Sequence, residues 1–245
     1  MVKALVLCYH ALSPGWDADL SVTPEAFDRQ ISYLLSRGWR GTTFTQAVLH
    51  RGPGRVLAVT FDDAFASVKR YAAPILAAHG VPGTVFAPTS FMDGGADLEW
   101  PGVSHWKQSA FARELAAMDW ADLRELARAG WEIGSHTCTH PYLTRVGDDA
   151  LREELVRSRE RCAQELGRPC QSIAYPYGDV DGRVAAAVAA AGYLAGAKLS
   201  ADLRDEGALR FPRVGVYHPD GWRRFRLKVA GPTRRLRATS PLLGR

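Results

Sequence analysis

The sequence predicts an α/β fold of parallel strands with helices outside them, closed as a barrel or doubly wound as an open sheet. Three observations predict it. Short apolar runs alternate with helical patterns along the chain, the signature of repeated β–α units. No composition break marks a linker and no internal repeat is visible, so the 245 residues read as a single domain. Clusters of polar residues fall directly after four predicted strands, where a parallel barrel gathers its functional groups.

Taken in order, Ala4–Tyr9 is an apolar run that reads as a buried strand. In Pro24–Arg37, Phe27, Ile31, Leu34 and Leu35 recur at helical spacing, with Thr23 as cap, Pro24 in the first turn and Gly38 as stop. Thr43–His50 suggests a short helix, Arg55–Phe61 a second buried strand, and Ser67–His79 a helix ended by Gly80. Gly83–Ala87 is the third strand. Residues 88–108 hold many Gly, Pro and Trp and read as a long functional loop. Trp120–Ala129 is helical up to Gly130, and Trp131–Ser135 is a strand. Asp148–Leu166 is the clearest helix, with Glu153 and Arg157 spaced to pair at i,i+4. Strands follow at Ser172–Tyr175, Tyr193–Ala197 and Arg213–Tyr217, with an Ala-rich helix at Val184–Ala191 and a last helix at Gly221–Val229.

The chain is 47% hydrophobic and 23% charged, which excludes bulk disorder. Its net charge of +5 is uneven: residues 221–245 carry eight Lys/Arg and no Asp or Glu. A basic tail on a nearly neutral domain argues against a nucleic-acid partner. Such a tail suits peripheral contact with an anionic membrane or a lipid-phosphate substrate. It also suits a solvated, frayed terminus. The four cysteines, Cys8, Cys138, Cys162 and Cys170, show no C-x-x-C spacing, so no structural zinc knuckle is expected. The first apolar run is too short for a signal peptide and no stretch reaches membrane-span length, so a cytoplasmic protein, membrane-peripheral at most, is expected.

The chemistry lies at the strand ends. Asp62 and Asp63 close an apolar strand, and adjacent carboxylates repel unless a cation or a shared proton relieves them. A metal would hold one and leave the other as a general base. Two helix N-caps would look the same. His136 and His140 lie four apart, so on a helical turn they would share one face and one metal. Two histidines and a carboxylate leave coordination positions open, as hydrolytic sites require. Trp100, Trp106 and Trp120 lie in or beside the long loop and have faces suited to stacking on a sugar ring, Trp106 being the site candidate; core or lid packing is the plain alternative.

Together these residues resemble the polysaccharide deacetylases, carbohydrate esterase family four. Thr60-Phe61-Asp62-Asp63 is similar to the family's first motif, residues 136–140 to its second, and Tyr175-Pro176-Tyr177-Gly178 to its third, a turn lining the site. The resemblance runs from about Leu5 to about Tyr217. It implies a distorted (β/α) barrel of about seven parallel strands over residues 1–220, with 221–245 as a basic tail. It implies Asp62 as base, Asp63, His136 and His140 as ligands of one divalent ion (zinc by default; nickel, cobalt or iron on the same donors), and the Tyr177 N–H as an oxyanion donor beside Pro176 and Tyr175. Three positions depart from the pattern. Ala64 stands where the family has glycine. Ala174 stands where it has an arginine supporting the base. No Leu-x-His near the C-terminus supplies the acid.

Leu7-Cys8-Tyr9-His10 resembles the opening of a circularly permuted branch that includes poly-N-acetylglucosamine deacetylases, which implies His10 as the acid. A closed barrel makes its first and last strands neighbours. A histidine bonded to backbone is the plain alternative for His10. Arg213 opens a strand bordering the site and is the candidate to replace the missing arginine beside Asp62. The expected reaction is metal-dependent hydrolysis of an N-acetyl amide on a small, lipid-linked or oligomeric amino sugar. A deformylase or other amidase on a lipid-linked aminosugar is the alternative. A catalytically dead carbohydrate-binding relative would have lost the ligands that are present here.

Overall fold

The computed structural model describes residues 4–94, 97–200 and 202–239. Strand β1 (Ala4–Tyr9) is followed by a small parallel pair, β2 (Ala11–Leu12) and β3 (Ser21–Val22), and then by helix α1 (Pro24–Ser36). Thr23 caps α1 by accepting from the Ala26 N–H. β4 (Trp39–Thr42), α2 (Phe44–Val48) and β5 (Arg55–Phe61) come next. The remaining core elements are α3 (Ala73–Ala78), β6 (Gly83–Ala87), α4 (Trp120–Arg128), β7 (Glu132–Ser135), α5 (Asp148–Leu166), β8 (Ser172–Ala174), α6 (Gly182–Ala190) and β9 (Ala195–Lys198). β10 (Phe211–Pro212), β11 (Val214–Gly215), α7 (Trp222–Val229) and α8 (Gly231–Thr239) finish the fold.

Every pairing in the main sheet is parallel, in the order β5–β6–β7–β8–β9–β10, with β1 flanked by β5 and β11. β10 and β11 are separated only by Arg213. Phe211 pairs with Ala197 on one side, and Val214 pairs with Leu7 on the other. One interrupted strand therefore bridges β9 and β1 and closes the ring. Counting it once, the barrel has seven staves, as the sequence suggests. β4 is an accessory: it takes the first half of β5 (Trp39 to Arg55) and β6 takes the second (Val59 to Gly83).

Side chains on a strand alternate between its faces, so each stave sends every second residue inward. The inner layer is small: Ala4, Val6, Val56, Ala58, Phe86, Ala174, Ala195, Ala197 and Phe211, plugged by Phe44, Ala47 and Val48 of α2. The outer residues of the same strands, Leu5, Leu7, Leu57 and Val59, pack with Phe27, Ile31 and Leu34 of α1. Gly134 keeps the interior narrow, because a Cβ there would lie 2.7 Å from the Phe86 ring. Continuing the inward files past the C-terminal ends of the strands reaches Cys8 and then His10 just after β1, Thr60 and then Asp62 just after β5, His136 after β7, and Arg213. The pleat alone brings them to one mouth.

Three sequence expectations need correction. The helix read over Ser67–His79 begins as a π-helical turn, Val68–Ala72, before α3. Pro74 lacks an N–H and crowds the carbonyl four residues back, which widens the preceding turn. The last strand read over Arg213–Tyr217 is the two-part closing strand instead. The terminus is not frayed as far as Thr239: Phe225 and Val229 are buried in the core, and Arg234 donates to the Ala4 carbonyl at 2.8 Å. Residues 240–245 lie outside the described residues. Among those described, no helix is long and apolar enough to cross a membrane.

Candidate active site

The site is built on broken pleats. Consecutive strand residues should face opposite ways, yet Asp62 and Asp63 both reach the mouth. Asp62 is still in register, donating its N–H to the Tyr9 carbonyl at 3.0 Å. Asp63 and Ala64 then take φ of 70° and 56°, which swings the second carboxylate round. The other non-glycine residues with positive φ are Thr137, His140 and Tyr177, so of the five among those described four fall in the three motifs and Ala64 directly follows the first. Such backbone costs of order 1–3 kcal/mol per residue and persists where the surroundings impose it.

Asp62 is 2% exposed and is gripped by Arg213, Nη1 to Oδ1 at 2.6 Å and Nη2 to Oδ2 at 2.7 Å. Arg213 is wholly buried, and Nη1 also reaches Thr60 Oγ1 at 3.1 Å. The Cys8 thiol lies against Asp62 Oδ2 at 3.5 Å. Burial pushes the Asp62 carboxyl up, but the Arg213 guanidinium, helped by His136, outweighs it and holds the group below its ordinary value. Asp62 is therefore a charged, oriented carboxylate.

Asp63 Oδ1 lies 3.3 Å from both His136 Nε2 and His140 Nε2 and has no hydrogen-bond partner of its own. His136 Nδ1 is 2.9 Å from the Ala174 carbonyl, so Nδ1 carries a proton and Nε2 is the nitrogen that faces Asp63. His140 Nδ1 is buried without a partner, and the ring stacks on Trp100 with centroids 4.1 Å apart. Three buried ligand atoms within 4.8 Å of one another, with Asp63 Oδ1 lacking a hydrogen-bond partner, fit a cation. Burial raises the Asp63 carboxyl, but its contacts with His136 and His140 bring it far below the carboxylate range.

The loop between the histidines is not the helical turn suggested by their spacing. Left-handed residues at Thr137 and His140 fold it instead. The Ser135 hydroxyl accepts from Thr137 N at 3.0 Å, and Thr137 Oγ1 accepts from His140 N at 3.1 Å. From α5, the Glu154 carboxylate accepts from Cys138 N (2.7 Å), Thr139 N (3.0 Å) and Thr139 Oγ1 (2.6 Å). Glu154 carries no sequence signal, since one more acid on a polar helix face looks like solvent exposure.

His10 directly follows β1, beside Asp62. The ligand atoms of Cys8, His10 and Asp62 lie within 4.8 Å of one another. The His10 ring stacks on Tyr217, and its Nδ1 is buried with no partner, so it is not bonded to backbone. Pro176 starts the third-motif turn. The Tyr177 ring meets His140 edge-on at 4.6 Å and stacks on Tyr142 at 3.8 Å, and burial pushes its phenol up to about 12.

Two candidates are corrected. Tyr175 is buried and its hydroxyl donates to the Leu209 carbonyl at 2.5 Å, so its side chain supports the barrel and lines no groove. Trp106 packs edge-on against Trp16 and Phe111, whereas Trp100 is the tryptophan that touches a site residue. The outward turn of Tyr175 follows from strand parity: Ala174 faces in, so its neighbour cannot.

A seven-stave (β/α) barrel with an Asp–His–His cluster beside a braced carboxylate defines a class of barrel protein with a hydrolase-type centre at its C-terminal mouth. Its family is polysaccharide deacetylase: residues 50–196 match that family's model, and the chain belongs to it. YxkH of Bacillus subtilis strain 168 is 24% identical over 221 residues, 87% of this chain and 71% of that protein. The poly-beta-1,6-N-acetyl-D-glucosamine N-deacetylase of Escherichia coli K12 is 32% identical over 134 residues, 50% of this chain and 18% of that protein. The structure of the Streptococcus pyogenes deacetylase PplD in complex with acetate superposes with a TM-score of 0.75 over 98% of this chain and 99% of that one, at 21% identity, a likeness of fold. His10 and Arg213 lie outside the segment matched to the family, so they rest on geometry.

Proposed function

We propose that this chain hydrolyses the N-acetyl amide of an N-acetylglucosamine-type amino sugar, releasing acetate and a free amine. The observation that carries the reading is the convergence of Asp63, His136 and His140 beside an Asp62 braced by Arg213. A divalent cation on those three residues, zinc by default, would supply Lewis-acid polarisation of the amide carbonyl and a more acidic water.

The chain's own groups do the rest. Arg213 keeps Asp62 ionised and aimed, so Asp62 accepts the proton of the attacking water. The new C–O bond forms at the acyl carbon, and the Tyr177 N–H donates to the developing oxyanion. His10 protonates the leaving nitrogen as the C–N bond breaks. Trp100 and Tyr177 hold the His140 ring from two sides. The substrate class is supported by the E. coli relative, a poly-beta-1,6-N-acetyl-D-glucosamine N-deacetylase whose match covers half of this chain. A substrate panel of N-acetylglucosamine oligomers, nucleotide-sugars and lipid-linked amino sugars, read by amine release and by acetate against formate, tests the reading. Formate release alone would move it to a deformylase, and no release from any of them would remove it.

A further inference from the structure

At the opposite end of the barrel, two guanidinium groups share one aromatic ring. Arg55 and Arg234 lie 5.3 and 5.5 Å from the Trp39 ring centroid. Trp39 begins β4, Arg55 begins β5, and the two residues are paired. The seven residues of β5 put this end roughly 20 Å from Asp62. The ring stands at a cavity of about 540 Å³ lined by Arg37, Arg55, Arg234 and Arg235, with Tyr33 among its apolar walls and no acidic residue. That volume is in the range of small-ligand sites.

None of the four arginines is paired with a carboxylate among the described residues. Arg55 donates to the Arg37 carbonyl, and Arg234 to that of Ala4. Arg234 is 8% exposed, and burial holds its guanidinium down to about 10 with no charged neighbour opposing. A buried cation without a counter-charge is costly, and like charges round one cavity repel. An anion relieves both. Arginine forks match phosphate oxygens in geometry as well as charge. Ala230 and Gly231, where α8 starts, also line the cavity and add the positive end of a helix.

We propose that this cavity is a binding site for a phosphoryl anion, carried by a soluble ligand or by a lipid headgroup. It is independent of the deacetylase reading. The test is calorimetric titration of the full chain with inorganic pyrophosphate at fixed ionic strength, beside co-sedimentation with phosphatidylglycerol or phosphatidylcholine vesicles. The variant is Arg55→Gln/Arg235→Gln, which removes two exposed arginines and leaves buried Arg234 in place. Saturable pyrophosphate binding that weakens roughly tenfold or more in the variant is expected, since two charge-assisted hydrogen-bonding forks are lost. Hydrolytic activity should not change. Pyrophosphate binding without vesicle binding assigns a soluble ligand. Phosphatidylglycerol binding that the variant loses assigns a headgroup. Wild-type protein that binds neither probe, or a variant that binds as well as wild type, overturns the proposal.

Discussion

Arg213 holds both carboxylate oxygens of Asp62 across 151 residues of sequence. The contact is possible because the closing strand breaks at Arg213, between its pairing with β9 and its pairing with β1. A buried pair is costly to break from one side, by about 3–5 kcal/mol. Arg213→Met should lose stability of that order by urea unfolding. Arg213→Lys keeps the charge and loses the fork, so it should fold while kcat falls by about a hundredfold. A methionine variant as stable as wild type would contradict this account of the pair.

The same pair sets an acid limb. The Asp62 carboxyl binds its proton more weakly in the folded chain than in the unfolded one. Its contribution is thus complete above the unfolded value, about pH 4, and is lost as pH falls through the lower folded value. Acid unfolding of chelator-treated protein should show a shallower slope below about pH 4 in Asp62→Asn than in wild type. An unchanged slope would mean that Asp62 is not held ionised.

Ala64 sits at φ 56°, fully buried, where the family resemblance expects glycine. Glycine would relieve about 1–2 kcal/mol of left-handed strain and lose a similar amount in chain entropy and methyl burial. Ala64→Gly should therefore change unfolding free energy by less than about 1 kcal/mol, unlike most buried alanine-to-glycine changes. Ala64→Val, β-branched at positive φ, should be markedly destabilised. Equal stability of the two variants would argue against the strain.

Glu154 pins the loop that carries both histidines. Glu154→Ala strands two backbone N–H groups and should weaken divalent-metal affinity by about 10–100-fold, as outer-shell changes at metal sites do. Competition against a chelating dye reads it. Unchanged affinity would leave Glu154 as a cap and nothing more.

His10→Ala should retain metal and lose kcat by about 10²–10⁴-fold, the usual size of a general-acid contribution. Loss of metal instead would make His10 a ligand. Full activity would return it to packing on Tyr217.

The barrel was legible because both its periodicities are strong: continuous apolar strands covered on two faces, and helices with caps such as Thr23. The closing strand was not, because two residues on either side of Arg213 are too short to show a period. Tyr175 was misread because a motif names residues and not faces: one step along a strand separates Ala174, facing the interior, from Tyr175, facing the helices. Glu154 and the Trp100 stack on His140 come from distant segments, and local pattern holds no record of such meetings.

The central claim is that Asp63, His136 and His140 together bind the ion on which hydrolysis depends. It is tested most directly by titrating chelator-stripped protein with zinc while following acetate release from N-acetylglucosamine oligomers. Activity should be absent at the start, rise to a plateau at one equivalent, and fail to rise in Asp63→Asn. Full acetate release by metal-free protein, or an Asp63→Asn variant restored like wild type, would contradict it.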